Sequence, residues 1–196
     1  MTRSAHYMLA ATPRKPIIVM ALHWLSVGLI VVAFGLAWLR ESMDEQTIEA
    51  LMMTFHRQVG LLILTLLVLR LIARQLTRQH ATALQISPWH QLAATASHLA
   101  LYGLILVLPV LGWTMTNAQG HDVLLLQLIK LPALVGINPD LADDLQDWHA
   151  WAAKCLLGLV LLHICAALWH HFIRRDSVLL SMLPMPKRQP TDSSKS

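Results

Sequence analysis

Four long apolar segments constrain this chain more than any other feature. They span residues 17–39, 55–76, 89–113 and 148–173. Each reaches the roughly 20 residues that an α-helix needs to cross a bilayer. Only 13% of the residues are charged, about half the fraction expected for a soluble domain. The pattern therefore predicts an all-α integral membrane protein, a four-transmembrane-helix bundle.

Prolines mark some of the predicted helix boundaries. Pro16 and Pro88 suit the first positions of helices one and three, where the missing N–H is not needed. Pro109 predicts a kink in helix three or its last turn. The chain is accordingly divided into a cytoplasmic N-terminus (1–15), a four-helix domain (16–183) and a disordered cytoplasmic tail (184–196).

The connection between helices three and four is long, at about residues 114–147. It contains a short apolar piece, Val123–Leu131. Such a piece predicts either an interfacial helix lying along the outer membrane surface or a cap over a ligand site at that end of the bundle.

Basic residues are concentrated on one side of the predicted bundle. Eleven of the fifteen Lys and Arg residues lie there, and nine of the eleven acidic residues lie on the other side. Lys and Arg favour the cytoplasmic side, so both termini are predicted to be cytoplasmic. The asymmetry explains the pI of about 9.4 without a nucleic-acid partner. The eleven basic residues are Arg3, Arg14, Lys15, Arg70, Arg74, Arg78, Arg174, Arg175, Lys187, Arg188 and Lys195.

Histidines occur at matching depths in three of the apolar segments. His149 and His163 are fourteen residues apart, which places them within about 40° of the same helix face and about 21 Å apart along the axis. His56 lies at the depth of His149, and His23 at that of His163. A lone membrane histidine is more often a hydrogen-bonded helix contact. Four at matched depths favour iron ligation in two bis-histidine haem sites, pairing His56 with His149 and His23 with His163.

Depth alone leaves one alternative open. His98 lies in the same half of the membrane as His23, so spacing does not decide between His98 and His163 as the partner of His23. If His98 is not a ligand, it is a candidate contact for a haem propionate or a quinone, or simply a helix contact. The other candidates for such contacts are basic groups near the predicted boundaries, and Arg57 and Lys154 are also placed to attract a small anion. This set comprises Arg57, Lys154, His170 and His171.

Several other chemistries lack their motifs. The sequence has no phosphate-binding glycine loop, no Cys-x-x-Cys and no Cys-x-x-Cys-His, which argues against nucleotide binding, thiol redox chemistry and covalent haem. Cys155 and Cys165 lie ten residues apart in one predicted helix, too far for a disulfide.

The histidine-bearing pieces resemble those of the small bacterial cytochrome b-561 family, and the resemblance extends from about Pro16 to Leu183. It implies axial ligands from helices one, two and four, namely His23, His56, His149 and His163, and makes His98 a non-ligand. The pieces that carry it are His23-Trp24-Leu25-Ser26, Phe55-His56-Arg57-Gln58-Val59-Gly60, His98-Leu99-Ala100-Leu101-Tyr102, Trp148-His149 with His163, and His170-His171-Phe172-Ile173-Arg174-Arg175-Asp176.

The resemblance also implies a function. The chain would be a multi-pass protein of the bacterial inner membrane that holds two haems b and transfers electrons between ubiquinol and a periplasmic acceptor or superoxide. Two histidines on each iron leave no open position, so no catalytic residue is predicted. The expected partners are membrane lipid, quinone and a periplasmic redox protein. The alternatives are a haem-bearing anchor subunit of a larger respiratory complex and a haem-free transporter with a histidine proton relay.

Overall fold

The computed structural model describes residues 16–42, 45–77, 88–175 and 179–183. Within these ranges, four helices are long and apolar enough to cross a membrane, which confirms the predicted all-α membrane bundle. The proposed N-terminus (1–15) and tail (184–196) lie outside the described residues. The elements are α1 (Ile17–Glu41), α2 (Gln46–Leu76), α3 (Pro88–Ala118), β1 (Leu124–Leu125), β2 (Ile129–Lys130), α4 (Pro139–Phe172) and a short 3₁₀ turn (Leu180–Met182).

Three helices extend beyond their apolar segments. α2 and α4 begin at Gln46 and Pro139, well before the apolar runs. At α4 the extra turns are capped, because the Asn138 side chain accepts a hydrogen bond from the Leu141 N–H at 3.1 Å. α3 continues past Pro109 to Ala118. The prediction that Pro109 marks the last turn was therefore wrong; the proline removes one backbone hydrogen bond, which spanning helices tolerate.

The helices pack in chain order, α1 on α2, α2 on α3 and α3 on α4. Among the described residues, α1 and α4 are not closely packed, and neither are α2 and α4. The core lies where α2, α3 and α4 meet, and most other apolar side chains are exposed, as expected for helices that face lipid. The core residues are Val59, Ile63, Leu67, Ile105, Leu108 and Leu156.

The bundle has two different ends. The hairpin end carries the loop between α3 and α4, and the terminal end is where α1 begins and α4 finishes. At the hairpin end, Gly120 adopts a φ of 84° just after α3. The His121 N–H then bonds the Thr116 carbonyl at 3.0 Å, and the Gly120 N–H bonds the Asn117 carbonyl at 2.9 Å. This Schellman motif ends α3 and turns the chain back over the bundle.

The loop piece Val123–Leu131, predicted either as an interfacial helix or as a cap over a ligand site, contains a β-hairpin and no helix. Leu124 pairs with Lys130 and Leu125 with Ile129 in antiparallel register. Leu126 and Gln127 have φ values of 52° and 58°, a left-handed conformation that costs about 1–2 kcal/mol per residue outside glycine. A short apolar run does not distinguish helix from strand. The turn also contains no glycine that would have predicted it from the sequence.

Asn117 is the buried link between the end of α3 and the loop, being 6% exposed. Its Nδ2 donates to the His121 carbonyl at 3.2 Å, and its Oδ1 accepts from the Leu134 N–H at 3.0 Å. Both backbone groups would lose their partner without this amide.

We therefore expect Asn117→Ala to lower the free energy of unfolding by about 1–3 kcal/mol, the usual cost of an unsatisfied buried group. Thermal unfolding followed by tryptophan fluorescence of the purified protein measures the change. Thr95→Val is the control, since the exposed Thr95 hydroxyl donates only to Gln91 of its own helix. Equal shifts in both variants would contradict the assignment.

Candidate functional site

A cavity of about 700 Å³ opens between the helices at the hairpin end. Its volume lies in the range of small-molecule and cofactor sites. All four helices line it, mainly with apolar side chains such as Phe34, Ile105 and Leu108. His56 and His149 are the two predicted ligands among its lining residues.

His56 of α2 and His149 of α4 face each other across this cavity. Their ring centroids are 6.2 Å apart. His56 Nδ1 lies 3.0 Å from the carbonyl oxygen of Ala33 on α1. A carbonyl only accepts, so Nδ1 carries the proton and the lone pair of His56 is on Nε2. Metal-bound histidines are commonly fixed in this way by a backbone carbonyl.

The spacing of the two rings suits a metal held between them. A bond from a metal to an imidazole nitrogen is about 2 Å long, so two such bonds in line place the ring centroids about 6 Å apart. The separation of His56 and His149 is therefore that of two axial imidazoles. Because α2 and α4 are not closely packed, a flat ligand has room between them.

Glycines contribute to this space. Gly60 lines the cavity, and a Cβ added there would meet no atom within 4 Å. The same holds for Gly28 and Gly158, so none of the three serves close helix packing. At Gly112 of α3, by contrast, an added Cβ would lie 3.5 Å from Cε1 of His149. Gly112 thus lets α3 approach the His149 ring.

Buried polar atoms without partners are concentrated in the cavity. In the part of the chain that the structure describes, Arg57 Nε, Trp113 Nε1 and His149 Nδ1 are buried and have no hydrogen-bond partner. Among the described residues no carboxylate pairs with Arg57, whereas Arg40 bonds Glu49 at 2.8 Å. A half-buried guanidinium with an unpartnered Nε favours an anion. These atoms could bind the carboxylates of a bound group, and they could also bind a small anion that diffuses into the cavity.

Other polar groups at the hairpin end also line the cavity or the recess beside it. Lys154 lines the cavity, and its Nζ lies 4.9 Å from the centroid of the Trp151 ring. His121, to which sequence reasoning assigned nothing, also lines the cavity. A polar recess of about 290 Å³ adjoins it and shares Arg40, Arg57 and Gln146 with it. The cavity therefore has a polar approach from outside the bundle.

A second histidine cluster lies toward the terminal end. The ring centroids of His98 and His163 are 5.7 Å apart, while the His23 ring contacts that of Trp24 at 5.5 Å. His23 lies near the rings of both His98 and His163. Among the described residues, His23 Nδ1 is buried without a hydrogen-bond partner, whereas His98 is exposed. The structure brings the His98 and His163 rings together and leaves the pairing of His23 untested.

Sequence reasoning missed Arg70 as a site residue. Its guanidinium carbon lies 5.4 Å from the centroid of the Tyr102 ring, and its charge acts on both His23 and His163. The available signal was its spacing, because Arg70 follows His56 by the same fourteen residues that separate His149 from His163. Arg70 is thus a basic residue beside the second cluster.

The remaining predicted contacts lie farther along α4. His170 and His171 occupy its last turn, and the His171 ring contacts that of Phe172 at 4.8 Å. The Trp24 indole N–H donates to the Met182 carbonyl at 2.8 Å, so the 3₁₀ turn packs near His23. Within the described ranges, no group of three or more His, Cys, Asp and Glu residues is placed to hold a metal. A metal centre with several protein ligands is therefore not formed there.

Comparison with known proteins identifies a family and several relatives of this chain. The family model described as "Prokaryotic cytochrome b561" matches residues 14–185. "Cytochrome b561 homolog 2" of Escherichia coli (strain K12) is 30% identical over 174 residues, covering 87% of this chain and 91% of the relative. "Probable superoxide oxidase CybB" of Yersinia pestis is 29% identical over 163 residues, covering 83% and 92%. "Cytochrome b561 homolog 1" of Escherichia coli (strain K12) is 27% identical over 167 residues, covering 85% and 94%. These matches confirm the resemblance inferred from the sequence.

Proposed function

Since this chain belongs to the prokaryotic cytochrome b561 family, a family of haem b proteins that transfer electrons in membranes, we propose that it holds two haems b, one at each end of the bundle. The observation that carries the proposal is the pair of imidazoles 6.2 Å apart across the hairpin-end cavity. The haems supply one-electron carriers, and the chain supplies ligation, burial and spacing.

At the hairpin end, His56 and His149 are the proposed axial ligands. The Ala33 carbonyl holds His56 with Nε2 toward the cavity. Arg57 and Lys154 are the proposed partners of the haem propionates, with the Trp113 indole N–H as a further donor, because their side chains line the same cavity. Two carboxylates there would satisfy the buried nitrogen of Arg57.

At the terminal end, His23 and His163 are the proposed ligands. α1 and α4 are not closely packed, which leaves room for a macrocycle between them. α3 and α4 are closely packed, and packed helices lie only about 8–10 Å apart. Contact between His98 and His163 is therefore better explained as helix packing beside the site. Arg70, His170 and His171 are the candidates for propionate or quinone contacts at this end.

The charge distribution supports an orientation. The basic residues at the terminal end favour the cytoplasmic side of the membrane. The hairpin end then faces the periplasm, and the protein lies in the bacterial inner membrane. Electrons would cross the bilayer between the two haems.

Superoxide is the proposed reductant at the hairpin end, with ubiquinone as the acceptor in the membrane. Each of two superoxide anions gives up one electron and leaves as dioxygen; ubiquinone takes both electrons and two protons to become ubiquinol. A named superoxide oxidase relative, the unpaired Arg57 and the polar recess beside it support this direction. His56 and His149 would hold the haem from opposite sides, and the haem would supply a one-electron carrier beside this approach.

The haem count tests the ligand scheme. We expect two haems b per purified chain from a pyridine haemochrome measurement, with low-spin bands in the reduced-minus-oxidised spectrum. His149→Ala and His163→Ala should each lose one haem because each ligates a different iron. His98→Ala, the matched control on α3, should keep both.

Three results would contradict the ligand scheme, and a fourth would change the proposed function. One haem in the wild type would leave one pair without a cofactor. Equal loss in His98→Ala and His163→Ala would reassign the terminal-end ligand. A colourless protein would favour the haem-free transporter, and a stoichiometric partner surviving gentle purification would favour the anchor subunit.

Gly112 provides a steric test of the hairpin-end site. An alanine Cβ would stay in ordinary contact with His149 at 3.5 Å, so Gly112→Ala should keep both haems. Gly112→Leu places further carbons against the ring and should displace His149, losing about one haem per chain at normal protein yield. Haem content per protein measures both variants. If Gly112→Leu kept its full haem content, the His149 ring would not lie against Gly112 in the haem-bound protein, which would contradict the proposed site.

Arg57 tests the anion role. Arg57→Gln should slow haem reduction by superoxide about tenfold or more and weaken its dependence on ionic strength, because a local positive charge raises the encounter rate of an anion. Arg57→Lys should restore most of the rate, and Arg174→Gln, a charge removed at the opposite end, should leave it unchanged. Stopped-flow absorbance on samples of equal haem content measures the rates. A normal rate in Arg57→Gln would remove this residue from the anion path.

A further inference from the structure

The loop hairpin is fastened to the bundle by one side chain. Gln58 of α2 donates from Nε2 to the Leu124 carbonyl at 2.7 Å, and its Oε1 accepts from the Leu126 N–H at 2.8 Å. Both halves of the amide thus bind the backbone of the hairpin at its turn. Gln58 follows His56 by two residues, so the fastening lies beside the proposed haem site.

The hairpin and its flanks, residues 122–131, form what we call the strap. Its inner side covers the cavity, with Asp122, Val123, Leu124 and Gln127 among the lining residues. Val123 is 6% exposed, whereas Leu128 on the outer side is 82% exposed. The strap therefore closes one side of the cavity and leaves the polar recess as the other approach.

The strap has few other attachments among the described residues. β1 packs on α2, and an exposed ion pair joins Asp122 to Lys130 at 2.7 Å within the strap itself. Such an exposed pair contributes little to stability. The left-handed residues Leu126 and Gln127 hold an unfavourable backbone conformation that persists only when surrounding contacts enforce it. The Gln58 amide supplies that enforcement at Leu126.

We propose that the strap, held by Gln58, makes the hairpin-end cavity selective for small diffusible redox reagents and excludes macromolecular ones. The inference rests on the proposed function, because it assumes electron exchange at this cavity. It deepens that function by naming the class of reactant. A molecule of the size of superoxide enters through the polar recess, whereas a protein surface is kept from the haem edge.

A matched pair of reagents tests this selectivity. Ferrocenium carboxylate is used free, and the same group is coupled by a short linker to a dextran larger than the protein. The free and the coupled ferrocenium groups each take one electron from the reduced haem and become the corresponding substituted ferrocenes. The full chain is studied in nanodiscs in a His163→Ala background, which confines the signal to the haem at the hairpin end.

We expect the coupled reagent to oxidise the protein with the native strap more than about tenfold more slowly than the free reagent. Gln58→Leu removes both hydrogen bonds at similar volume and should bring the two rates close together. Gln75→Leu is the control: it removes an amide near the other end of α2, outside the linings of the cavity and the recess, and should keep the difference. Gln58→Glu retains the acceptor for the Leu126 N–H but loses the donor to the Leu124 carbonyl. It is the second variant if Gln58→Leu does not fold, and its ratio of the two rates should lie between that of the wild type and unity.

Hydrogen exchange gives a readout that does not depend on electron transfer. The Leu126 amide should exchange faster in Gln58→Leu than in the wild type, because its acceptor is gone, and Gln75→Leu should leave its exchange unchanged. Unchanged exchange and an unchanged rate ratio in Gln58→Leu, with normal oxidation by the free reagent, would overturn the strap's role alone. Reaction with neither reagent would overturn both the strap's role and the proposed electron exchange at this end.

Discussion

A polar nitrogen placed inside a bilayer needs a partner, and the arrangement of this bundle depends on that requirement. The backbone meets it through helices. His56 meets it through the Ala33 carbonyl. His23 and His149 each retain a buried nitrogen that has no partner among the residues the structure describes. Because these unsatisfied groups lie where helices stand apart, they mark the places where a bound group would complete the structure.

The two ends of the bundle carry similar residues in different surroundings. Each joins histidines to a nearby arginine, Arg57 at the hairpin end and Arg70 at the terminal end. At the hairpin end the arginine lines an open cavity with a polar approach, whereas Arg70 stacks on Tyr102. The polar approach is thus suited to the proposed exchange with a charged solute at the hairpin end.

Bilayer thickness made the fold predictable, because any chain with four such apolar segments has few alternatives. The facing of His56 and His149 followed from depth and helix direction. The hairpin form of the strap did not follow from the sequence, since its turn uses left-handed Leu126 and Gln127. Gln58, which bonds the Leu126 N–H, lies in a distant part of the sequence. Arg70 was overlooked because it was counted only as a cytoplasmic charge.

The apolar core limits how charge can move along the proposed path. Side chains of α2, α3 and α4 form this core, and such a layer has a low dielectric constant. α4 carries one histidine of each proposed pair about 21 Å apart along its axis, so a single helix would set the spacing of the two proposed haems. In the proposed function, electrons would cross this layer between the haems, whereas a proton would meet the barrier of its low dielectric constant. The protons that ubiquinone would need in that reaction would then come from the side of the membrane on which it is reduced.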